Sequence, residues 1–309
     1  VDDMRIEQLD YLEKIIKHGS INLAAKELFL TQPTLSNAVK DLEQEMGIQL
    51  LIRSKKGVVL TDEGRRFMVY ANQVLAQVKL LEGQYKEKTV KKKVFAVSAQ
   101  HYAFVVHAFV ELIKNVETEE YQFTLRETAT EKILTDVMKF RSDLGILYLN
   151  SFNQEIMKKL FKEHDLEFTP LFTASPHVFL SRDNPLTLKK SLSLADLEDY
   201  PYLSYEQGDN NSFYFSEEIL STISHKKNIK VTDRATIFNL MVGLNGYTIS
   251  SGIISSELND DKIVAIPLEV DDYITLGWLK HKQVKLSEMS LDYLERLKEH
   301  IIGFGFKII

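Results

Sequence analysis

Cysteine is absent from all 309 residues, which excludes disulfides, thiolate metal sites and cysteine redox sensing but leaves the compartment open. No run of about 18 apolar residues occurs, as a membrane-spanning helix would need. The start of the chain has no charged segment leading into an apolar one, as a signal peptide would. The expected setting is the cytoplasm, with no membrane partner. A glycine-rich phosphate loop, an HExxH pair and a Gly-x-Ser-x-Gly elbow are all missing. "GLNGYTISSG", residues 243–252, has glycines at neither dinucleotide-binding nor P-loop spacing. The eight histidines are scattered; His101 and His107 share one helical region without a matching acidic partner. No catalytic constellation, metal or cofactor is therefore expected, and the single tryptophan, Trp278, reads as a core residue in a strand.

What is present is ordinary for a folded globular chain: 44% hydrophobic and 27% charged residues, enough to build a small domain plus one or two larger ones. Charge is unevenly placed. Residues 1–93 hold 16 Lys and Arg against 13 Asp and Glu, whereas residues 94–309 hold 22 against 31. The base-rich end favours a nucleic-acid partner only weakly, because a solvated lysine-rich helix gives the same count.

Near that end, Ile6, Leu9, Leu12 and Ile16 repeat at helical spacing, and Gly19 stops the helix. Ser20 caps a second helix whose Ile21, Ala24, Ala25 and Leu28 form a narrow stripe that lets a neighbour approach closely. Thr31 caps a third, with Pro33 in its first turn. Leu35, Val39, Leu42 and Met46 form the buried stripe of this third helix, so Pro33, Ser36, Asn37 and Lys40 point outward. Short amide and hydroxyl side chains beside one lysine suit base edges and phosphates in a major groove. Two helices joined by a tight turn, the second with this face, read as a helix-turn-helix. An amphipathic pair with polar flanks is also what a plain helix pair shows. The following "IQLLIRSKKGVVLTDEG", residues 48–64, reads as a β-hairpin with a basic tip, the wing of a winged helix-turn-helix.

The order Gly19-Ser20, Ala24-Ala25, Leu28, Gln32-Pro33-Thr34, Ser36, Lys40, Leu42-Glu43, Gly47, Leu50, Arg53, Leu60-Thr61 and Gly64 resembles the N-terminal signature of LysR-type transcriptional regulators. Leu51, Val39 and Glu63 depart from residues common in that family without altering chemistry at the groove. The resemblance implies that Gln32, Pro33, Thr34, Ser36, Asn37 and Lys40 enter the groove, with Arg53, Lys55 and Lys56 on the wing. From Thr61 a long helix runs to about Lys88, and Phe67, Ala71, Val74, Val78, Leu81 and Tyr85 follow the 3.5-residue repeat of a dimer seam. A helix packing on its own domain gives a similar stripe. The resemblance implies a homodimer or tetramer, and a dimer doubles the contacts on a pseudo-palindromic site.

From Val94 apolar strands alternate with amphipathic helices, which predicts βαβ units and mainly parallel sheets. Ten strands are expected, and helices over 102–115, 130–140, 153–163, 212–223, 236–245 and 290–301. The resemblance implies two lobes like those of periplasmic solute-binding proteins, with crossings near Phe168–Phe172 and Pro267–Asp271. The expected fold is thus multi-domain: an all-α winged helix-turn-helix domain (1–61), a long linker and dimerisation helix with a charged hinge (62–93), and an α/β two-lobed periplasmic-binding-protein-like domain (94–309). Its lobe I is 94–168 and 270–309, and its lobe II is 169–269.

Ligands in open α/β sheets lie beyond the carboxyl ends of the strands. Those ends carry Ser98, Gln100, Thr128, Thr130, Ser204, Tyr205, Asn210, Asn211, Ser212, Thr248 and Ser250, a set suited to a small polar or anionic metabolite. Each also suits a helix cap. The chain is expected to be a DNA-binding regulator that takes promoter DNA and a small effector, and the family adds RNA polymerase as a further partner. A constitutive DNA-binder without effector, and a small-molecule-binding protein or enzyme, remain open.

Overall fold

Gly19 and Gly47, both in the left-handed region, and the hydroxyls of Ser20 and Thr31 set the helix boundaries at the start of the chain. In the computed structural model, which describes residues 4–54, 57–86, 92–117, 120–208, 212–254 and 262–309, α1 (Ile6–His18) ends at Gly19 in the left-handed region. The Ser20 hydroxyl accepts the Leu23 N–H and opens α2 (Ile21–Glu27). Phe29 takes a left-handed conformation in the turn, where the Leu30 N–H reaches back to the Ala25 carbonyl. The Thr31 hydroxyl accepts the Thr34 N–H at 3.3 Å and opens α3 (Gln32–Met46), with Pro33 in its first turn. Leu9, Leu12, Ile15, Ala24, Leu35 and Leu42 are buried together where these helices meet.

Backbone bonds fasten the wing to these helices. The strands β1 (Leu51–Ser54) and β2 (Gly57–Leu60) pair antiparallel. Glu43 Oε1, on α3, accepts the N–H groups of Leu50 at 2.7 Å and Leu51 at 2.9 Å. The Val58 N–H donates to the Gly19 carbonyl at 2.9 Å, and a Cβ on Gly57 would lie 2.8 Å from that same oxygen, so only glycine fits there. The Thr61 hydroxyl then accepts the Gly64 N–H at the start of α4 (Asp62–Lys86). Met68, Ala71 and Leu75 of α4 join the same core. The helix read from sequence as a separate linker is thus the fourth helix of this unit over its first half, and Ala71 turns inward rather than along an outer seam.

The chain divides into two units, Val1–Lys91 and Lys92–Ile309. The second begins with β3 (Lys93–Ala99), α5 (Ala103–Lys114), β4 (Tyr121–Glu127), α6 (Thr130–Met138), β5 (Leu144–Leu149), α7 (Gln154–Glu163) and β6 (Leu166–Ala174). It continues through β7 (His177–Ser181), β8 (Tyr202–Tyr205), β9 (Asn228–Val231), α8 (Arg234–Leu244), β10 (Tyr247–Ser250) and β11 (Ile263–Pro267), and closes with β12 (Ile274–His281) and α9 (Glu288–Gly303). Two five-stranded sheets result, ordered β4-β3-β5-β12-β6 in the first lobe and β11-β7-β10-β8-β9 in the second. Each has parallel strands joined to antiparallel ones contributed by the crossing segments: β12 against β5 and β6, and β7 against β10 and β11. Trp278 is buried in β12, as expected of it.

Three expectations need correction. The sheets are mixed rather than mainly parallel, with four parallel and four antiparallel strand pairings among the described residues of the second unit, because the crossing segments return against the parallel strands. Phe168 to Ala174 pair with β12, so the first crossing lies at Ser175–Pro176 and residues 169–174 belong to the first lobe. The second crossing lies between Pro267, at the end of β11, and Ile274, at the start of β12. The helix over 212–223 is absent; in its place is a three-residue 3-10 turn, Phe213–Phe215, followed by bends. Its carbonyls serve another purpose: Phe215 accepts from the Thr130 hydroxyl at 2.8 Å, and Ser216 and Glu218 accept from the Tyr148 hydroxyl at 3.1 and 3.2 Å. These carbonyls accept from the other lobe instead of closing helical rings, so tertiary contacts override the local period. Among the described residues no helix is long and apolar enough to cross a membrane.

Because one carboxylate oxygen holds two wing N–H groups, Glu43→Ala is expected to lower the stability of the N-terminal unit by about 1–3 kcal/mol, and Glu43→Gln, which keeps an acceptor, by less. Denaturant titrations of the three proteins check this; equal midpoints would contradict it.

Candidate functional site

In the first unit, α3 buries Leu35, Ala38, Val39 and Leu42 and turns Gln32, Pro33, Thr34, Asn37 and Lys40 to solvent. Ser36 differs from its neighbours. It is half-buried, and its Oγ accepts from Arg53 Nη1 at 2.7 Å, so the wing guanidinium and the helix hydroxyl form one constellation. Asn37 offers both donor and acceptor, Lys40 a mobile cation and Arg53 a planar cation, the groups that read base edges and hold phosphates. Lys55 and Lys56 lie outside the described residues. Farther along α4, Val74, Leu81 and Tyr85 are 40%, 61% and 80% exposed, and Tyr70 beside them 71%. Phe67 and Val78 are half-buried, and Phe67 packs on the unit's own core.

In the second unit polar and charged groups gather between the lobes. The His101 N–H, just before α5, donates to Glu217 Oε2 at 3.0 Å, and His101 Nδ1 lies 2.8 Å from the same oxygen. Gln207 Nε2 donates to Glu217 Oε1 at 3.1 Å, while Gln207 Oε1 accepts the Thr130 N–H. Glu218 Oε1 accepts the Tyr205 N–H at 2.8 Å, and the Tyr205 ring stacks on His101 with centroids 3.9 Å apart. Glu127 at the end of β4 pairs with Arg234 at the start of α8, 3.1 Å away. Beside these groups a narrow pocket with about 30 Å³ of free volume is lined by His101, Tyr205, Arg234, Thr248 and Ser250, with Phe179 and several isoleucines completing its wall.

Burial governs the protonation of this cluster. It opposes charge on His101, but the charge and hydrogen bond of Glu217 outweigh it and hold the imidazole above its ordinary value. Burial, and then the Glu217 charge, push the Glu218 carboxyl up to about 8. Glu127 is also raised by burial, against the opposing pull of Arg234.

Comparison with known proteins fits both halves of this geometry. The family model described as "Bacterial regulatory helix-turn-helix protein, lysR family" matches residues 6–65, and the "LysR substrate binding domain" matches residues 106–301. The chain belongs to the LysR family of transcriptional regulators. It is a regulator with a helix-turn-helix DNA-binding domain and an effector-binding domain, as the resemblance in its sequence implied. The HTH-type transcriptional regulator TdcA of Escherichia coli is 25% identical over 312 residues, covering 96% of this chain and 93% of that one. AlsR of Bacillus subtilis is 25% identical over 257 residues, covering 81% and 78%. The solved structure of a mutant of Corynebacterium glutamicum OxyR shares the fold, with a TM-score of 0.57 at 18% identity, covering 98% of this chain and 94% of that one.

Within this LysR-family regulator, the strand-end residues named from sequence divide into groups. Tyr205, Thr248 and Ser250 line the interlobe pocket. Gln100 and Thr130 lie in the buried network: Gln100 Nε2 donates to Thr130 Oγ1 at 2.7 Å, and its Oε1 accepts the Tyr148 N–H. Ser98 does not reach the pocket, because its fully buried Oγ is 2.8 Å from both Asp136 Oδ2 and Ser142 Oγ on the α6 side of β3. Thr128 is half-buried and off the pocket lining, and its N–H is bonded to the Ala99 carbonyl. Ser204 and Ser212 line a second, hydroxyl-rich hollow shared with Tyr205. Asn210 and Asn211 lie outside the described residues. Sequence reasoning missed Glu127, Gln207, Glu217, Glu218 and Arg234, and it left His101 without an acidic partner although Glu217, 116 positions away, is one. The signal available was two adjacent glutamates in an otherwise hydroxyl- and aromatic-rich stretch, which reads equally as a solvated helix face.

The sign of the pH dependence follows from these shifts. A carboxyl held above its unfolded value binds its proton longer in the native state, so its contribution is lost as pH rises from about 4.5 towards about 8. A raised histidine contributes below its unfolded value and loses that contribution as pH climbs through the folded one. Both act in one direction, so the melting temperature of the second unit is expected to fall from about pH 6 to about pH 8.5, with a shallower fall in Glu218→Gln. Calorimetry across that range checks the slope; a rising or flat wild-type profile would contradict it.

Proposed function

We propose that this regulator binds promoter DNA as a homodimer or dimer of dimers through α3 and the wing, and that a small effector entering the interlobe pocket alters its activity. The observation that carries the reading is the opposite treatment of polar side chains in the two units. On α3 a row of short polar groups and one lysine is left exposed, whereas between the lobes polar and charged groups converge, buried, around an open pocket. In this reading Gln32, Pro33, Thr34, Asn37 and Lys40 meet the groove, Arg53 held by Ser36 follows the backbone, and Lys55 and Lys56 add phosphate contacts. The exposed stripe of Tyr70, Val74, Leu81 and Tyr85, with Val78 at its border, supports pairing of α4 with a second copy.

The effector acts by binding one arrangement of the lobes more tightly than another, since equal affinity for both would shift nothing. Its contacts in this reading are His101, Tyr205, Arg234, Thr248 and Ser250, with Gln100, Thr130 and Gln207 behind them. A role in transcription places the protein in the cytoplasm, with RNA polymerase as a further partner, and assigns it no catalysed reaction.

The test is selection of bound fragments from a genomic DNA pool by the full chain, followed by titration of the selected operator. Lys40→Ala is expected to weaken binding and to reduce the salt slope by about one, the loss of a single phosphate contact. Ser36→Ala is expected to weaken binding by freeing Arg53. Unchanged affinity and slope in both variants would reject the assignment of this face.

A further inference from the structure

The lining of the interlobe pocket is two-sided, and the groups it leaves unused are of one kind. Arg234 and Thr248 mark the polar side; Phe179, Ile237, Phe238, Ile249 and Ile253 form the apolar wall. Arg234 Nε faces Glu127 at 3.1 Å, but Arg234 Nη1 and Thr248 Oγ1 are buried without a hydrogen-bond partner among the described residues. Thr248 is only 5% exposed, so bulk water does not serve its hydroxyl. Buried donors left unmatched are unfavourable, and a ligand acceptor removes that penalty. A guanidinium edge beside a hydroxyl matches the two oxygens of a carboxylate.

Charge balance disfavours a ligand with more than one negative charge. Glu127 already faces Arg234, and Glu217 already faces His101, so no surplus of positive charge awaits a phosphate or a dicarboxylate. The two carboxyl groups on the lining, Glu217 and Glu218, have N–H partners from His101, Gln207 and Tyr205, which disfavours a ligand ammonium there. The wall of phenylalanine and isoleucine would strand the hydroxyls of a sugar, whereas it suits a hydrocarbon tail. We propose that the effector is a small monocarboxylate with an aliphatic or aromatic tail, its carboxylate on Arg234 and Thr248 and its tail on the Phe179–Ile237–Ile253 wall. This narrows the effector reading above and rests on it.

Isothermal titration of the full chain tests the class with 4-methylpentanoate and phenylacetate as probes and with their primary amides, L-leucine and succinate as controls. At least one probe carboxylate is expected to bind about tenfold or more tightly than its amide, and than leucine and succinate. Thr248→Val, which keeps the shape of the side chain, and Arg234→Gln are each expected to weaken that binding about tenfold. Equal affinity for acid and amide, tighter binding of leucine or succinate, failure of both acids to bind, or indifference to Thr248→Val would each overturn the proposal. The fate of the wider reading is read separately from operator occupancy in cells. If Thr248→Val changes that occupancy although neither acid binds, the pocket remains an effector site and only the ligand class fails. If the variant leaves occupancy unchanged under every growth condition, the effector reading fails as well.

Discussion

The carboxylate of Glu217 is the point at which the two lobes of the second unit are joined. Its oxygens take the His101 backbone N–H, the His101 ring and the Gln207 amide, and both charged side chains are almost fully removed from solvent. A buried ion pair adds little net stability against an apolar alternative, but breaking one side leaves an unpaired buried charge and is severe. Such a contact therefore acts less as a source of stability than as a specification of one lobe arrangement. The surrounding bonds, Thr130 to Phe215 and Tyr148 to Ser216 and Glu218, repeat that choice, and they do so with carbonyls withdrawn from a helix. The irregular backbone at 213–218 and the interlobe clasp are one feature.

The winged unit obeys the same rule with the opposite outcome. Its buried polar atoms are matched within the unit: Glu43 to the wing strand, Gly19 to Val58, Thr61 to the start of α4. These bonds fix how the wing stands against α3, and Arg53 on Ser36 carries that arrangement to the surface. What remains exposed is the short polar row of Gln32, Asn37 and Lys40, beside Thr34, whose hydroxyl pairs with that of Thr31 at 2.7 Å; this row is available to an external partner.

The legible parts of the sequence were those whose signals are local. Gly19, Ser20, Thr31 and Pro33 act within one turn of their own positions, so the helix-turn-helix could be read directly. Alternating apolar strands and amphipathic helices likewise disclosed the α/β character of the second unit, because burial imposes its period residue by residue, while the division into two lobes came from the family resemblance. The failures lie where partners are distant in the chain. Ser98 stands at a strand end as expected, yet its pleat turns it to Asp136 and Ser142. Residues 212–223 carry a helical period that the opposite lobe overrides. Ala71 follows a seam spacing that serves an internal core as well as a dimer. Arg234 and Glu217 act through contacts more than 100 residues away, which no spacing announces.

If the clasp reports the lobe arrangement, and that arrangement is coupled to DNA, then by linkage operator binding must alter the clasp even without an effector. Hydrogen exchange of the full chain, free and operator-bound, measures this most directly at the amides of His101 and Tyr205, which donate to Glu217 and Glu218. The account predicts that DNA changes their protection in the wild type and that Glu217→Gln removes the difference at His101. Identical exchange with and without DNA in the wild type would contradict it.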